Sequence, residues 1–322
     1  MKFISMTLLP VLGIGLAAMD ARAESWPAKP LRAIVAAGPG STIDIIPRVV
    51  FEQLAKQLGQ PIIVENRGGA GGTIAANAVA KADADGYSIL VHSNAHTIAP
   101  SLYSKLGYLP AQDFAAVIPL GILPAVLVVP SDRGWRTLAD FIAAAKSKPG
   151  SMNFSSVGAG SATHLSAEQF RARSGVQAVH VPFKGGGEAM TEVIAGRIDF
   201  FFGPVGLVAP NVRDGKLTAL AVNGSKRSAA LPDVPTTSEA GIVDAEYPFW
   251  IGLFLPSKTP RDIVNKLHLE TLNALQSPTV RDKLAAMGVE PLTMTPQELD
   301  ARVVTEITRN GELVKAIGLK SN

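Results

Sequence analysis

Short apolar runs alternate with helical patterns over most of this chain. Residues 31–37 form an apolar run that reads as a buried strand, closed by Gly38-Pro39-Gly40-Ser41-Thr42. A helix to Leu58 follows, with Val50, Phe51, Leu54 and Leu58 on one face and Gly59 as its stop. Pro47 suits only the first turn of a helix, which makes Asp44 the expected N-cap. Residues 62–65 read as a strand, the glycine turn 68–72 leads into a helix through Lys81, and 88–92 read as a third strand.

The same grammar then repeats. Strands are expected over 125–129, 153–157, 179–183, 198–202 and 217–222. Between them, Thr137-Leu138-Ala139-Asp140 is a capping box, Gly158-Ala159-Gly160-Ser161 opens a helix to about Arg173, and Lys184-Gly185-Gly186-Gly187 opens another that Gly196 ends. This β-loop-α alternation predicts an α/β fold of parallel sheets with helices on both faces. No strict internal repeat is visible. Beyond Ala230 the pattern changes: residues 249–255 give one last strand and only helices follow. Their starts are Thr259-Pro260, Ser277-Pro278 and Thr295-Pro296-Gln297-Glu298. Such a chain builds one domain, then a second, and returns to finish the first. The expected division is 24–124 with 251–322, and 125–250.

The N-terminus changes the compartment. Lys2 precedes an apolar stretch over 3–19, and Ala21-Arg22-Ala23 has the small residues of a cleavage site, so 1–23 read as a secretory signal peptide and the mature chain starts near Glu24 in the periplasm. The stretch is broken by Pro10, Gly13 and Gly15, which argues against a membrane anchor. Loss of Lys2, Arg22 and Asp20 takes the formal charge from +3 to +2, too balanced to imply nucleic acid. The absence of cysteine excludes disulfides, thiol nucleophiles and thiolate metal sites.

Candidate chemistry sits in the loops. The segments 38–42, 93–97, 158–163 and 184–187 are small, rich in glycine or hydroxyls, and carry no arginine. Loops of this kind expose N–H groups at helix N-termini, at the carboxyl ends of strands where open α/β sheets bind ligands. Each glycine alone also serves a tight turn; four such loops together favour capture of an anion. His164 either touches the ligand or caps its own helix, with the ligand shell favoured. Lys184 reads as solvated, His180 and His268 as structural, and Trp250 and Phe249 as core rather than cleft. His92 and His96 flank a strand end without an H-E-x-x-H helix, so no metal is expected. No cofactor motif and no nucleophile–base pair can be read, which leaves a secreted hydrolase as the weakest reading.

The mature chain resembles the substrate-binding proteins of tripartite tricarboxylate transporters, the Bug receptors. The resemblance is carried by Trp26-Pro27-Ala28-Lys29-Pro30, Val64-Glu65-Asn66-Arg67-Gly68-Gly69-Ala70-Gly71-Gly72, Asp85-Gly86-Tyr87, Val181-Pro182-Phe183-Lys184-Gly185 and Leu231-Pro232-Asp233-Val234-Pro235. It implies a type II periplasmic-binding-protein fold: two doubly wound α/β domains, joined by crossing strands at a hinge, with a small carboxylate between them. Carried over by position, the ligand shell falls on Gly40, Ser41, Thr42 and Asp44; on Ser93, Ala95 and His96; on Gly158, Gly160, Ser161, Ala162, Thr163 and His164; and on Lys184, Gly185, Gly186 and Gly203. Two departures stand out. Ile43 replaces a threonine, and Phe202-Gly203-Pro204 replaces the frequent F-D-N, which disfavours a ligand amine and favours an uncharged body. The implied partners are membrane transporter subunits or, alternatively, a sensor kinase, with the receptor acting as a monomer.

Overall fold

Two five-stranded sheets of the same design organise the chain, and the computed structural model describes residues 26–319. The signal-peptide segment and the expected start at Glu24 lie outside the described residues. In the first sheet β1 (Leu31–Val35), β2 (Ile62–Asn66) and β3 (Ser88–Ser93) run parallel in the order β2-β1-β3. The edge strand β4 (Phe114–Leu123) and the late strand β10 (Phe249–Pro256) complete it, with β10 antiparallel to both β3 and β4. In the second sheet β6 (Met152–Ser156), β7 (Ala178–Pro182) and β8 (Phe200–Pro204) run parallel, and β5 (Ala125–Pro130) pairs antiparallel with β8 and with β9 (Leu217–Asn223). Each sheet is therefore three parallel strands, one antiparallel crossing strand, and an outer strand. The all-parallel expectation fails at the crossing strands. Each enters its sheet from the other half of the chain, so it needs no helical crossover to set its direction.

Only Pro124 separates β4 from β5, so the first crossing is a single continuous path from one sheet to the other. The second crossing ends where Phe249 and Trp250 pair with Leu123 and Ile122 in the first sheet. The strand β4 escapes the sequence pattern because Pro119 and Gly121 interrupt it and nearly every position is buried, leaving no alternation to read.

Helices cover both faces of each sheet. α1 (Thr42–Leu58), α8 (Arg261–Gln276) and α9 (Pro278–Ala286) close one apolar core around Leu31, Val50, Leu54, Ile89 and Leu253. α2 (Thr73–Ala80), α3 (Ala95–Leu102) and α10 (Pro296–Ala316) pack on the opposite side, around Ile34, Leu90 and Trp250. In the second lobe α4 (Leu138–Ser147) and α5 (Ala162–Ser174) bury Phe141, Phe154, Phe170, Phe200 and Phe202, each contributing roughly 1.5–3 kcal/mol of burial. α6 (Gly186–Ile194) and α7 (Val205–Arg213) cover its other face.

Helix starts are set by local chemistry. Thr137 forms the expected capping box with Asp140, and Thr295, at an expected helix start, forms a second one with Glu298. α1, however, is capped by Ser41 in extended backbone, so the helix begins at Thr42 and Pro47 lies in its interior rather than its first turn. Asp44 is inside that first turn instead of capping it. The segment 93–97, expected as a loop, already turns into α3 at Ala95.

Candidate functional site

The carboxyl ends of the strands from both sheets face one cleft of about 690 Å³. First turns of five helices line it: Ser41 and Thr42 of α1, Ala95 of α3, Ser161 to Thr163 of α5, Gly186 and Gly187 of α6, and Gly206 and Leu207 of α7. The first N–H groups of an α-helix lack partners in their own helix. Those of Thr42 and Ile43, and of Ala162 and Thr163, make no hydrogen bond among the described residues. Among the described residues, no Asp, Glu, Lys or Arg lines the cleft. The cleft is thus electropositive through backbone dipoles, without a cationic side chain.

Two of these helix starts are built alike. In Gly38-Pro39-Gly40-Ser41, Gly40 takes a left-handed φ of 77°, and Ser41 Oγ donates to the Gly38 carbonyl at 2.8 Å. In Gly158-Ala159-Gly160-Ser161, Gly160 has φ 75°, and Ser161 Oγ donates to the Gly158 carbonyl at 2.7 Å. The Gly40 N–H donates to Asp44 Oδ2 at 2.8 Å, and the Gly160 N–H to His164 Nδ1 at 3.1 Å, in each case to the side chain four residues on. The sequence carries this twin as G-x-G-S followed after two residues by Asp44 or His164. Matching the two loops residue by residue would have revealed a local repeat that a search for long periods passes over.

Each brace is itself held from behind. Asp44 Oδ1 accepts from Arg48 Nε at 2.8 Å and Asn66 Nδ2 at 2.9 Å. Burial pushes the Asp44 carboxyl up, but the Asn66 amide, the Gly40 N–H and Arg48 together outweigh it and hold the carboxyl below its usual value. Asn66, within Val64-Glu65-Asn66-Arg67, therefore ties β2 to the first loop. Arg67 pairs with Glu65 and is absent from the cleft wall.

Behind the second loop, His164 stacks on His180 with centroids 4.0 Å apart, and His164 Nε2 lies 3.6 Å from Glu168 Oε1. Because Nδ1 accepts from Gly160, the His164 proton sits on Nε2, toward Glu168. His180 Nε2 meets Ser156 Oγ at 2.6 Å, and Arg171 holds Glu168 at 2.6 Å. Burial first, with the Arg171 cation nearby, outweighs Glu168 and brings His180 down to about 4.

The profile of the tripartite tricarboxylate transporter family receptors matches residues 46–319 of this architecture. The chain belongs to that family. BugT of Bordetella pertussis (strain Tohama I) is 34% identical over 319 residues, covering 97% of this chain and 98% of BugT. Two similar proteins of known structure come from Rhodopseudomonas palustris. Rpa4515 with adipate is 31% identical, with a TM-score of 0.80 over 92% of this chain and 100% of that one. MatC with bound malate is 33% identical, with a TM-score of 0.76 over 90% of this chain and 100% of that one. The receptor shares the two-lobed fold of solved periplasmic binding proteins.

The receptor's cleft brings together Gly40, Ser41, Thr42, Ser93, Ala95, Gly160, Ser161, Ala162, Thr163 and Gly186 of the residues expected from sequence. Asp44 and His164 stand one layer back as braces. His96 is not at the wall: it is fully buried, stacked on Tyr108 at 5.8 Å and packed on Phe114 and Phe254 at 4.9 Å, where burial drives the ring well below the usual imidazole range. Lys184 is exposed away from the cleft, and Gly158, Gly185 and Gly203 are also absent from its lining. Gly203 is pinned instead by packing, since a Cβ there would meet Val208 at 2.5 Å. Trp250 is core as expected, its indole N–H donating to the Glu306 carboxylate, whereas Phe249 lines the cleft. Leu102, Tyr103, Leu123, Leu207 and Met287 also line it and were missed, because an apolar residue on a cavity wall has the same sequence signature as one in a core.

Proposed function

We propose that this receptor captures a small carboxylate between its two lobes, residues 24–124 with 251–322 and residues 125–250, and delivers it to tripartite tricarboxylate-type membrane subunits. The observation that carries the reading is the convergence of helix N-termini from both lobes on a cleft with no charged side chain among the described residues that line it. Unpaired N–H groups and serine or threonine hydroxyls then hold the charge, each such bond to an ionised acceptor contributing about 1.5–3 kcal/mol. The relatives whose solved structures hold adipate and malate support a carboxylate. The protein works outside the cytoplasm once residues 1–23 are removed, and exported protein is expected to start at or near Glu24 by mass spectrometry; an intact Met1 would contradict this.

A thermal-shift screen of carboxylates against their methyl esters tests the binding claim. A ligand at a hundred times its Kd stabilises the folded state by about 2.7 kcal/mol. The acid is expected to raise the melting temperature and its ester to leave it unchanged. Equal shifts from acid and ester would overturn the reading.

A further inference from the structure

Gly206 lies inside α7, directly after Val205, where alanine is the better helix former. Its φ is not left-handed, so no turn requires glycine there. The place of its side chain is taken instead by the other lobe. A Cβ on Gly206 would lie 2.6 Å from the Met287 carbonyl oxygen, 3.2 Å from the Met287 carbonyl carbon and 3.6 Å from the Gly288 nitrogen. The contact is reciprocal: a Cβ on Gly288 would lie 2.9 Å from the Gly206 nitrogen and 3.1 Å from both Gly206 Cα and Val205 Cγ1. α7 packs on the second sheet, and Met287 and Gly288 follow α9, which packs on the first. Two backbones from opposite lobes therefore touch where neither carries a side chain.

Gly288 has a second reason to be glycine, its left-handed φ of 74° at the end of α9. Gly206 has none but this contact. The contact lies at the crossing, since the Val205 N–H donates to the Pro124 carbonyl at 2.9 Å. It also closes a corner of the cleft, because Gly206, Leu207 and Met287 are all on the wall. The first-turn N–H groups of Gly206 and Leu207 make no hydrogen bond among the described residues. The close approach thus brings a third set of free donors toward the cleft that α1 and α5 share. A methyl group at 206 would meet main-chain atoms, which cannot rotate aside as a side chain can. Ordinary contact needs about 3.5 Å, so the corner would have to open by on the order of 1 Å. An opening beside the crossing grows toward the far rim, where α1 and α5 face each other.

Taking the carboxylate reading above as given, we infer that Gly206 is a positioning residue for the ligand. By leaving its side-chain position to the Met287–Gly288 backbone, it sets how closely the lobes meet. It thereby places the first-turn N–H groups of α7, α1 and α5 within reach of one bound molecule.

The test is Gly206→Ala, read by the distance between the lobes. The chain has no cysteine, so Gln57→Cys on α1 and Ala172→Cys on α5, both exposed, take spin labels cleanly. Double electron–electron resonance is run without ligand and with adipate or malate. The shortest distance reached by the labelled parent is expected to lengthen by a few ångström in Gly206→Ala. The melting temperature without ligand is expected to stay level or rise, because alanine suits the helix and its near neighbours are all in the other lobe. By isothermal titration the Kd for adipate or malate is expected to rise about tenfold, the loss of one hydrogen bond to an ionised acceptor. An unchanged label distance would overturn the inference. So would a variant that fails to fold or melts far lower, since Gly206 would then serve packing within its own lobe. Methyl esters that bind like their acids would contradict the carboxylate reading and leave the spacing role of Gly206 standing.

Discussion

The Gly40 N–H is held by a carboxylate and the Gly160 N–H by an imidazole, so one turn is braced by two chemistries. Asp44 takes donors from Gly40, Arg48 and Asn66 while its side chain is only 4% exposed. Asp44→Asn therefore removes charge and turns one acceptor into a donor facing donors. The expected loss is about 2–3 kcal/mol of stability in urea unfolding, with weaker ligand binding as the α1 turn loosens. An unchanged urea midpoint would show that the brace contributes nothing. At His164, Asn keeps an acceptor for the Gly160 N–H and Leu does not. His164→Leu is expected to raise the Kd by about five- to tenfold, the worth of one neutral hydrogen bond, and His164→Asn to stay near wild type. Equal losses in both variants would point to lost ring stacking on His180 rather than to the turn. Ser161 also belongs to this scale. Its hydroxyl donates to Gly158 and accepts from the His164 N–H, so Ser161→Ala is expected to cost about 1 kcal/mol of stability through the cap alone.

Helices and strands carry the next level of the account. A strand such as β1 or a helix such as α1 was legible because its apolar residues keep one period between glycine stops. β4 was not, since it is buried on both faces and broken by Pro119 and Gly121. α3 was not, because Pro100 and the polar His96 and Thr97 mask a helix whose polar residues are buried by α10 and the aromatic box. The glycine loops of the site were legible because left-handed turns demand glycine at Gly40 and Gly160. The wall supplied by Leu102, Phe249 and Met287 was hidden, because only the crossing of the strands brings those distant residues together. The sheets also bury titratable groups beneath these loops. His92 and His180 are held near 4, against 6.5 for a free imidazole, chiefly by burial. The unfolded chain binds the proton first. Their contribution to stability is therefore present above pH 6.5 and is lost as pH falls toward 4. Melting temperatures measured between pH 7 and pH 4.5 are expected to fall, and a flat profile would contradict the lowered values of the buried His92 and the half-buried His180.

At the scale of the whole molecule, two sheets of one design are joined by the crossing strands, by an apolar cluster in which Leu165 of α5 and Tyr247 pack with Ile98, Leu313 and Val314, and by polar contacts between lobes. Lys226 reaches Glu290 at 3.6 Å, and Arg309 of α10 donates to the Glu246 carbonyl at 2.6 Å. The first pair joins a largely exposed lysine to a mostly covered carboxylate and adds little by itself. A ligand that bonds to α1 in one lobe and α5 in the other favours the closer arrangement by its differential contacts. Small-angle scattering is expected to show a smaller radius of gyration at saturating ligand; no change would speak against closure. The most direct test of the central claim is a crystal structure with the carboxylate that gives the largest thermal shift. The account predicts its carboxylate oxygens at about 2.7–3.2 Å from the first-turn N–H groups of both α1 and α5, with no arginine or lysine in contact. A carboxylate paired with a cationic side chain, or held by one lobe alone, would contradict it.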